Sequence, residues 1–448
     1  MEEISKAHIT ISKALGEQCI THGDNVSLAS WCVATTADCG ILLLNNLTKE
    51  LILIDKGESE FLCVSDLQES DIDSIRDSEL FDYLVKNWFL VSTEHDDLKL
   101  INEVRDVVTC FDTKEGINSY TILTTTDCNA RCFYCYEKGI ERVSMSKQTA
   151  LDVAEYIKKN AGKKVGLHWF GGEPLFNISV IDIITSELRK AGIEFESSMI
   201  SNGYLATDNV VKKAVENWNL KKVQITLDGT EEVYNERKAY VNPEGSAFQR
   251  VLDNIERLLK AGIRVSIRLN LDLDNAEDLY KLSELLADRF SSYEKLGVYS
   301  HYLYGEKYSE SFDRTCSENS KLNAYLTKKG LSHCGKIDKR IKTNHCMADN
   351  DSAVVVTPTG ELHKCEHVGI TDKCGTIYGG ITNQDVIDYW KKRPEIGEIC
   401  RRCPMYADCV KLVACPDDFD YCPQVVYDDK LQKLKDSMLY TYEMEMKK

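Results

Sequence analysis

Three cysteines in a short polar stretch have the residue type and spacing of metal ligands. Cys128, Cys132 and Cys135 are separated by three and then by two residues. Thiolates at such spacings converge from one loop, and runs of this kind hold iron–sulfur clusters. Because three thiolates leave one iron of a 4Fe-4S cluster without a protein ligand, the sequence predicts a cluster with one reactive iron. A structural zinc site is the weaker interpretation, since it requires four ligands and the natural fourth candidate, Cys110, lies far upstream.

The same stretch, with the aromatic residue Tyr134 directly before the third cysteine, resembles the signature of the radical S-adenosylmethionine (SAM) enzymes. The resemblance implies that the amino and carboxylate groups of S-adenosyl-L-methionine bind the open iron of this radical SAM cluster. One electron, delivered by a reductant such as flavodoxin or ferredoxin, would then cleave the cofactor to methionine and a 5′-deoxyadenosyl radical.

The composition limits the partners and the location of the chain. Its 448 residues are enough for about two or three domains, and its formal net charge of −17 disfavours nucleic acid, because phosphate binding requires clustered Lys and Arg. Residues 1–8 show no basic segment followed by an apolar run, and no stretch reaches about 20 apolar residues. We therefore expect neither a secretory signal nor a membrane span. The prediction is a cytoplasmic protein in which the 18 cysteines stay reduced, so that the dense cysteine set supplies metal ligands and not disulfides.

The elements that must position the cysteine loop follow as strands and helices in alternation, over residues 116–303. Six strand and helix repeats favour an α/β fold with a parallel sheet and helices outside it. The resemblance implies an open, partial (β/α)6 TIM-like barrel, in which the loops at the carboxyl ends of the strands carry function. The predicted strands are 120–124, 165–170, 195–200, 223–227, 265–269 and 298–302. The predicted helices are 146–159, 180–191, 207–217, 246–261 and 276–289.

Gly171-Gly172-Glu173-Pro174 comes directly after the second of these strands. Two glycines allow the backbone to approach a ligand closely, and the carboxylate of Glu173 is suited to hold an ammonium group. Through the resemblance, these four residues would bind the methionine amine of S-adenosyl-L-methionine.

Polar residues also end the third and fourth strands. Ser201 and Asn202 follow the third strand and Asp228 follows the fourth, and all three resemble family elements that shape the cofactor pocket and suit ribose hydroxyls. Arg237 resembles the family arginine near the methionine carboxylate, although Asn235 stands where many related sequences carry a histidine. We expect Ser201 and Arg237, ahead of Asp228, to contact the cofactor directly.

Residues 1–115 predict a small α+β module. Two β-rich runs, 40–46 and 51–56, form a predicted hairpin, followed by helices at 58–65 and 73–86 and a strand at 88–91. The module resembles the winged-helix-like leader-peptide recognition domain of peptide-modifying enzymes, whose edge strand pairs with an extended peptide. The alternative is a module that only caps and stabilises the barrel.

Seven of the eight cysteines within residues 346–425 form a recurring pattern. This region lies between a polar linker at 304–345, with a short helix expected at 321–328, and an expected charged helix at 426–448. The cysteine pattern resembles the SPASM domain, which holds two auxiliary 4Fe-4S clusters. A hairpin of residues 353–357 and 361–364 is expected to present Cys365. Carried over by position, the resemblance assigns Cys400, Cys403, Cys409 and Cys422 to the outer cluster and Cys346, Cys365 and Cys415 to the inner cluster.

Two departures from the SPASM pattern leave the inner cluster open to interpretation. Five residues instead of three separate Cys409 from Cys415, and no cysteine lies between Cys346 and Cys365. The fourth inner ligand is then Cys374 or Cys334, or the position stays open for a substrate thiol.

Together these features predict a radical SAM oxidoreductase that binds a ribosomally made precursor peptide through its leader and installs a thioether or carbon–carbon cross-link. The alternative enzyme is an anaerobic sulfatase-maturating (formylglycine-generating) enzyme. That group places an aspartate base after the second SPASM cysteine, where this chain has Glu366 after Cys365, so Glu366 is the candidate catalytic base. The alternative outside the enzymes is a zinc-binding scaffold that presents peptides.

Overall fold

The computed structural model describes most of the chain, in ten segments. They are residues 15–55, 69–111, 116–303, 305, 309–332, 335–344, 346–368, 371–409, 411–416 and 422–446. The helix expected at 58–65 and Cys334 lie outside the described residues. Within these segments no helix combines the length and the apolar character needed to cross a membrane.

The N-terminal region forms a three-stranded antiparallel sheet beside a two-stranded ribbon. The predicted hairpin is confirmed, and a strand that the sequence did not predict precedes it in the sheet order β2-β3-β4. The strands are β1 (Val26–Leu28), β2 (Cys32–Ala37), β3 (Gly40–Asn45), β4 (Glu50–Asp55) and β5 (Leu90–Ser92), with β1 paired to β5. The helices are α1 (Glu69–Ile75), α2 (Glu79–Lys86) and α3 (Asp97–Phe111).

The single helix expected at 73–86 is in fact two helices. Ser78 has extended backbone, and its hydroxyl accepts a hydrogen bond from the backbone N–H of Phe81, so it begins α2 as an N-cap. The apolar spacing continues across the break, because Ile75 and Phe81 both face the same N-terminal core. Periodicity alone therefore could not locate the interruption.

Six parallel strands in sequential order form the partial barrel, which confirms the predicted fold class. The strands are β6 (Ile117–Thr125), β7 (Ala161–Gly171), β8 (Phe195–Ser201), β9 (Leu220–Leu227), β10 (Arg264–Leu271) and β11 (Leu296–Tyr302). The helices among them are α4 (Lys147–Asn160), α5 (Ile178–Lys190), α6 (Asp208–Glu216), α7 (Glu231–Lys238), α8 (Ala247–Lys260) and α9 (Ala276–Phe290).

Alternation along the strands separates the core from the barrel interior. In β7, Leu167 and Trp169 are fully buried in the core that includes the outer helices. The alternate residues, His168 and Phe170, line cavities inside the barrel. The interior positions therefore belong to the site, and the outer positions belong to the hydrophobic core.

The cysteine-rich region continues the barrel sheet. β12 (Ala353–Val356) pairs parallel to β6, and β13 (Glu361–His363) pairs antiparallel to β12 in the predicted hairpin. The short strands β14 (Gly375–Thr376) and β15 (Gly380–Ile381) complete a ten-stranded sheet. Cys365 lies two residues after β13, which β12 joins to the first barrel strand.

Four more helices complete the described chain. They are α10 (Phe312–Lys328), α11 (Gln384–Lys391), α12 (Glu398–Arg401) and α13 (Gln424–Thr441). α10 contains the short helix expected in the linker and is longer than predicted. Met438 of α13 packs with Val33, Leu42 and Leu44 on one face of the N-terminal sheet, so the C-terminal helix covers the face opposite the main N-terminal core.

Candidate active site

The loop after β6 brings the three predicted cluster ligands to the mouth of the barrel. Cys128, Cys132 and Cys135 are each half-buried and line one cavity of about 570 Å³. The backbone N–H of Ala130 points at Cys128 Sγ at 3.4 Å, and the N–H of Cys135 donates to the carbonyl of Cys132 at 3.2 Å. Three thiolates on one wall of a cavity, with a backbone N–H aimed at a sulfur, fit the donor set of a 4Fe-4S cluster.

Gly171 and Gly172 fasten β7 to the cysteine loop. The N–H of Gly172 donates to Thr125 O, and the N–H of Glu173 donates to Asp127 O, each at 3.0 Å. A Cβ atom on Gly171 would lie 2.1 Å from Thr125 O, and one on Gly172 would lie 2.4 Å from Asp127 O. Glycine is therefore required for contact between the two backbones, a requirement that the sequence prediction had attributed to a ligand.

Glu173 is fully buried and joins β7 to β8. Its carboxylate accepts hydrogen bonds from the N–H of Leu175 at 3.0 Å, the hydroxyl of Ser201 at 2.8 Å and the N–H of Asn202 at 2.8 Å. Burial raises the pKa of Glu173 to about 7, against the lowering effect of these donors. Pro174, also buried, begins a single 3-10 turn after it. That Glu173 binds the amine of the cofactor stays a prediction.

Asn202 links β8 to the cysteine loop. Its side-chain N–H donates to Asn129 Oδ1 at 2.7 Å and lies 3.8 Å from Cys128 Sγ. Together with Glu173, it ties the first three barrel strands into one hydrogen-bonded unit around the cavity.

A buried ion pair supports the opposite wall of the cavity. Lys238 Nζ lies 3.0 Å from Asp228 Oδ2 and donates to Thr226 Oγ1 at 2.7 Å. The Tyr134 hydroxyl donates to Asp228 Oδ1 and accepts from Lys238 Nζ, both at 2.8 Å, and Asn270 donates to Asp228 Oδ1 at 3.0 Å. Burial is the largest single effect and opposes the charge on Lys238, but the neighbouring groups, Asp228 foremost, together outweigh it, so the pKa of Lys238 is raised.

Lys238 and Asn270 line the cavity but were not predicted from the sequence. Asn270 carried a usable signal, because a polar residue near the carboxyl end of an apolar strand follows the same rule that identified Ser201. No sequence signal identified Lys238, because a lysine at the end of a helix normally faces solvent.

Arg237 pairs with an aspartate and packs on an aromatic ring that lines this cavity. Its Nη2 donates to Asp272 Oδ2 at 2.5 Å, and its guanidinium lies 4.9 Å from the centre of the Phe133 ring. Neither Arg237 nor Asp228 is among the residues that line the cavity, whereas Ser201 is. The predicted contacts of Arg237 and Asp228 with the cofactor stay predictions.

The comparison with protein families agrees with this geometry. The model of the radical SAM superfamily matches residues 122–286, which include the cysteine loop and the carboxyl ends of the first five barrel strands. Residues 122–286 form a radical SAM domain.

Relatives of this radical SAM domain carry out different reactions. A GTP 3′,8-cyclase of Clostridium perfringens (strain 13) is 28% identical over 302 residues, which are 62% of this chain and 89% of the relative. The radical SAM cyclopropyl synthase TigE of Paramaledivibacter caminithermalis is 22% identical over 234 residues, 48% of this chain and 47% of the relative.

Two solved structures share the fold. That of anSMEcpe with bound AdoMet has a TM-score of 0.56 at 15% identity and covers 72% of this chain and 99% of its own. That of Streptococcus suis SuiB bound to the precursor peptide SuiA has a TM-score of 0.51 at 12% identity and covers 90% of this chain and 99% of its own. The resemblance of the cysteine-rich region to a SPASM domain stays a prediction.

Several cysteines between residues 346 and 422 influence one another electrostatically, in two groups. Burial raises the pKa of Cys365, and Cys346 and Cys415 are among the neighbours that raise it further. Burial also raises the pKa of Cys403 to about 11, and its neighbours are Cys409, Cys422 and Cys400. The longer spacing before Cys415 therefore does not separate it from the inner set. Their ligation of auxiliary clusters stays a prediction.

Cys374 does not join the inner set. Its thiol is fully buried, donates to Leu362 O at 3.3 Å, and packs in the core of the radical SAM barrel. Cys374 therefore packs as a small hydrophobic residue of the core. Its position does not support the prediction that it completes the inner cluster.

Glu366 lines a second cavity, of about 270 Å³, inside the barrel. His168, whose ring nitrogen lies 2.6 Å from Ser198 Oγ, is on the same cavity wall. Phe170 and Ile200 line both this cavity and the one at the cysteine loop, so the two cavities adjoin. A substrate group that reaches from one to the other passes between the cysteine loop and the carboxylate of Glu366.

Proposed function

We propose that the chain is a radical SAM peptide maturase, which removes a hydrogen atom from a ribosomally made precursor peptide and installs a thioether or carbon–carbon cross-link. Residues 1–115 would recognise the leader, 116–303 would perform the radical step, and 346–425 would hold two auxiliary clusters. The observation that carries the proposal is the combination, in one chain, of the cysteine-lined cavity with the edge strand β4 of the N-terminal sheet.

β4 has the properties of a strand that pairs with a peptide. Within the described residues, only β3 pairs with it, so its outer edge has no strand partner. Leu51, Ile52 and Leu53 of β4 are half-buried, and proteins normally avoid a half-exposed apolar strand at the edge of a sheet. An extended leader segment added to this edge would pair with its open backbone groups.

The residues around the cavity position the reacting partners. When bound, the cluster and S-adenosyl-L-methionine supply a carbon radical that takes a hydrogen atom from the substrate. Glu173, Ser201 and Asn202 fix the strand ends against the cysteine loop, and the ion pair of Lys238 with Asp228 holds Tyr134 beside the third cysteine. This rigidity keeps the substrate hydrogen in line with the radical and excludes water.

The extent of the structural likeness favours a peptide over GTP. The structure of SuiB, solved with a precursor peptide, spans 90% of this chain, including most of its N-terminal and C-terminal regions, whereas the alignment with the GTP 3′,8-cyclase spans 62%. A GTP cyclase activity would leave the N-terminal sheet and its open strand without a function.

Formylglycine formation is the second candidate, and the position of Glu366 favours it. anSMEcpe, a sulfatase maturase, was also solved with bound peptides, Kp18Cys and Cp18Cys. Glu366 follows Cys365 and lies in the cavity next to the cysteine loop, where a carboxylate would accept a proton from a substrate Ser or Cys.

One anaerobic experiment separates these activities. The purified chain should be brown and hold about eight to twelve irons, whereas a zinc-binding scaffold would be colourless. It is then incubated with S-adenosyl-L-methionine, a reductant and either a short precursor peptide encoded beside it, GTP, or a sulfatase peptide. The expected result is 5′-deoxyadenosine with a precursor peptide lighter by two hydrogen atoms per cross-link. Product from GTP or formylglycine from the sulfatase peptide, without a cross-link, would overturn the proposal.

A further inference from the structure

The turn between β3 and β4 is buried against the loop that carries three of the outer cysteines. The side-chain N–H of Asn46 donates to Pro404 O at 2.8 Å. Lys49 Nζ forms an ion pair with the carboxylate of Asp408 and donates to Asn46 Oδ1 at 2.7 Å. Asn46 and Lys49 are only 2% and 8% exposed. The turn therefore lies inside the protein, which is unusual for a hairpin turn with a charged residue.

The turn keeps a lysine at this position despite an unfavourable backbone. Lys49 has a φ of 63°, in the left-handed region where glycine or asparagine is easier to accommodate. The neighbouring Asn45 organises the turn, because its side-chain oxygen accepts the N–H groups of Leu47 and Thr48. The two hydrogen bonds to Asn45 do not involve the side chain of Lys49, which instead contacts Asp408 and Asn46.

Asp408, the partner of Lys49, directly precedes Cys409. It belongs to the 3-10 turn Tyr406–Asp408, in which the N–H of Tyr406 donates to Cys403 O at 2.9 Å and the N–H of Cys409 donates to Tyr406 O at 3.1 Å. This short turn sets the distance between Cys403 and Cys409.

The N-terminal core holds the same turn through apolar contacts. Ala407 is fully buried and belongs to the cluster formed by the N-terminal residues, and the Arg105 guanidinium of α3 lies 5.9 Å from the centre of the Tyr406 ring. Pro404, Tyr406, Ala407 and Asp408 thus contact the N-terminal module, and Lys49 supplies the ion pair.

We propose that Lys49 is a positioning residue for the outer auxiliary cluster, and that the N-terminal module completes the cluster-binding loop. The proposal rests on the assignment of Cys400, Cys403, Cys409 and Cys422 made above. β4 begins directly after Lys49, so one turn joins the strand expected to bind the leader to the loop that holds the cluster.

The test uses the full-length chain and its C128A/C132A/C135A form, which keeps only the auxiliary clusters. K49M removes the charge, and K49R retains it. The matched control is K329M, because Lys329 forms a 2.7 Å ion pair with Glu284 in the barrel, far along the chain from the outer cysteines. After anaerobic reconstitution, iron and sulfide are counted, and the reduced protein is studied by electron paramagnetic resonance (EPR).

K49M should lose about four of about twelve irons together with the EPR signal of the outer cluster, while the radical SAM signal persists. K49R and K329M should keep both. Wild-type iron and EPR signals in K49M would overturn the role of Lys49 but leave the cysteine assignment intact. A wild-type chain that lacks the outer cluster would instead overturn the assignment itself. If K49M does not fold, N46A, which removes the hydrogen bond to Pro404, decides by the same criteria.

Discussion

Lys238 Nζ lies 3.0 Å from Asp228 Oδ2, and their side chains are only 3% and 0% exposed. This ion pair joins the end of α7 to the end of β9, and Tyr134 connects both groups to the cysteine loop. The carbonyl of Lys238 also accepts the N–H of Arg131 at 2.9 Å. One residue therefore holds the cysteine loop through its side chain and through its backbone.

We expect K238M to lower the free energy of unfolding by about 3–5 kcal/mol, because it leaves the buried Asp228 carboxylate without its counter-charge. Urea unfolding of the cluster-free protein measures the change. K329M, which removes an exposed ion pair, should have a much smaller effect. The double variant D228N/K238M should recover part of the loss, and a double variant as unstable as the sum of the single variants would contradict the interpretation.

We expect G172A to abolish the radical SAM cluster. An added Cβ would lie 2.4 Å from Asp127 O, so β7 must separate from the cysteine loop. Iron analysis should show a loss of about four irons, with the EPR signals of the auxiliary clusters retained. G23A is the matched control, because a Cβ at Gly23 meets no atom within 4 Å. Full iron content in G172A would show that the contact between these backbones does not hold the loop.

Much of this arrangement could be predicted from the sequence, because the signals are local. Polar residues at the ends of apolar strands located Ser201 and Asp228, and the apolar periodicity located the barrel helices. Lys238 could not be found in this way. It reaches the site because the chain turns sharply after α7, where Ala239 adopts a left-handed φ of 46°.

Contacts between segments that are distant along the chain could not be predicted from the sequence either. The parallel pairing of β12 with β6 joins Val354 to Tyr120, and no local pattern specifies the partner of such a strand. The ion pair of Lys49 with Asp408 links residues 359 positions apart. A lysine in a turn between two strands normally indicates a solvated surface, so only the fold shows that this one is buried.

The stability of the cluster-free protein should depend on pH through Glu173. Burial raises the pKa of Glu173 from 4.5 to about 7, so the folded state binds more protons than the unfolded state between these values. The contribution of this group to stability is therefore present below about pH 4.5 and is lost as the pH rises to about 7, by about 3 kcal/mol in total.

E173Q removes this titration. Urea unfolding at several pH values should show that the difference in stability between wild type and E173Q changes over the same window. A constant difference between wild type and E173Q from pH 4.5 to 7 would show that Glu173 does not titrate in this window.

The role of Glu366 is tested by comparing two variants during turnover with the precursor peptide. E366D keeps a carboxylate in the cavity that adjoins the cysteine loop, and E366Q keeps the size without the base. If Glu366 accepts a proton from the substrate, E366Q should lower the rate of peptide product formation by about 100-fold or more, while cleavage of S-adenosyl-L-methionine continues. E366D should retain a substantial part of the activity, because a shorter carboxylate still reaches a proton through one water molecule.

Liquid chromatography and mass spectrometry measure 5′-deoxyadenosine and peptide product in the same samples. Equal loss of both products in E366Q would point to damage of the cofactor site instead, and a wild-type rate in E366Q would exclude Glu366 as the base.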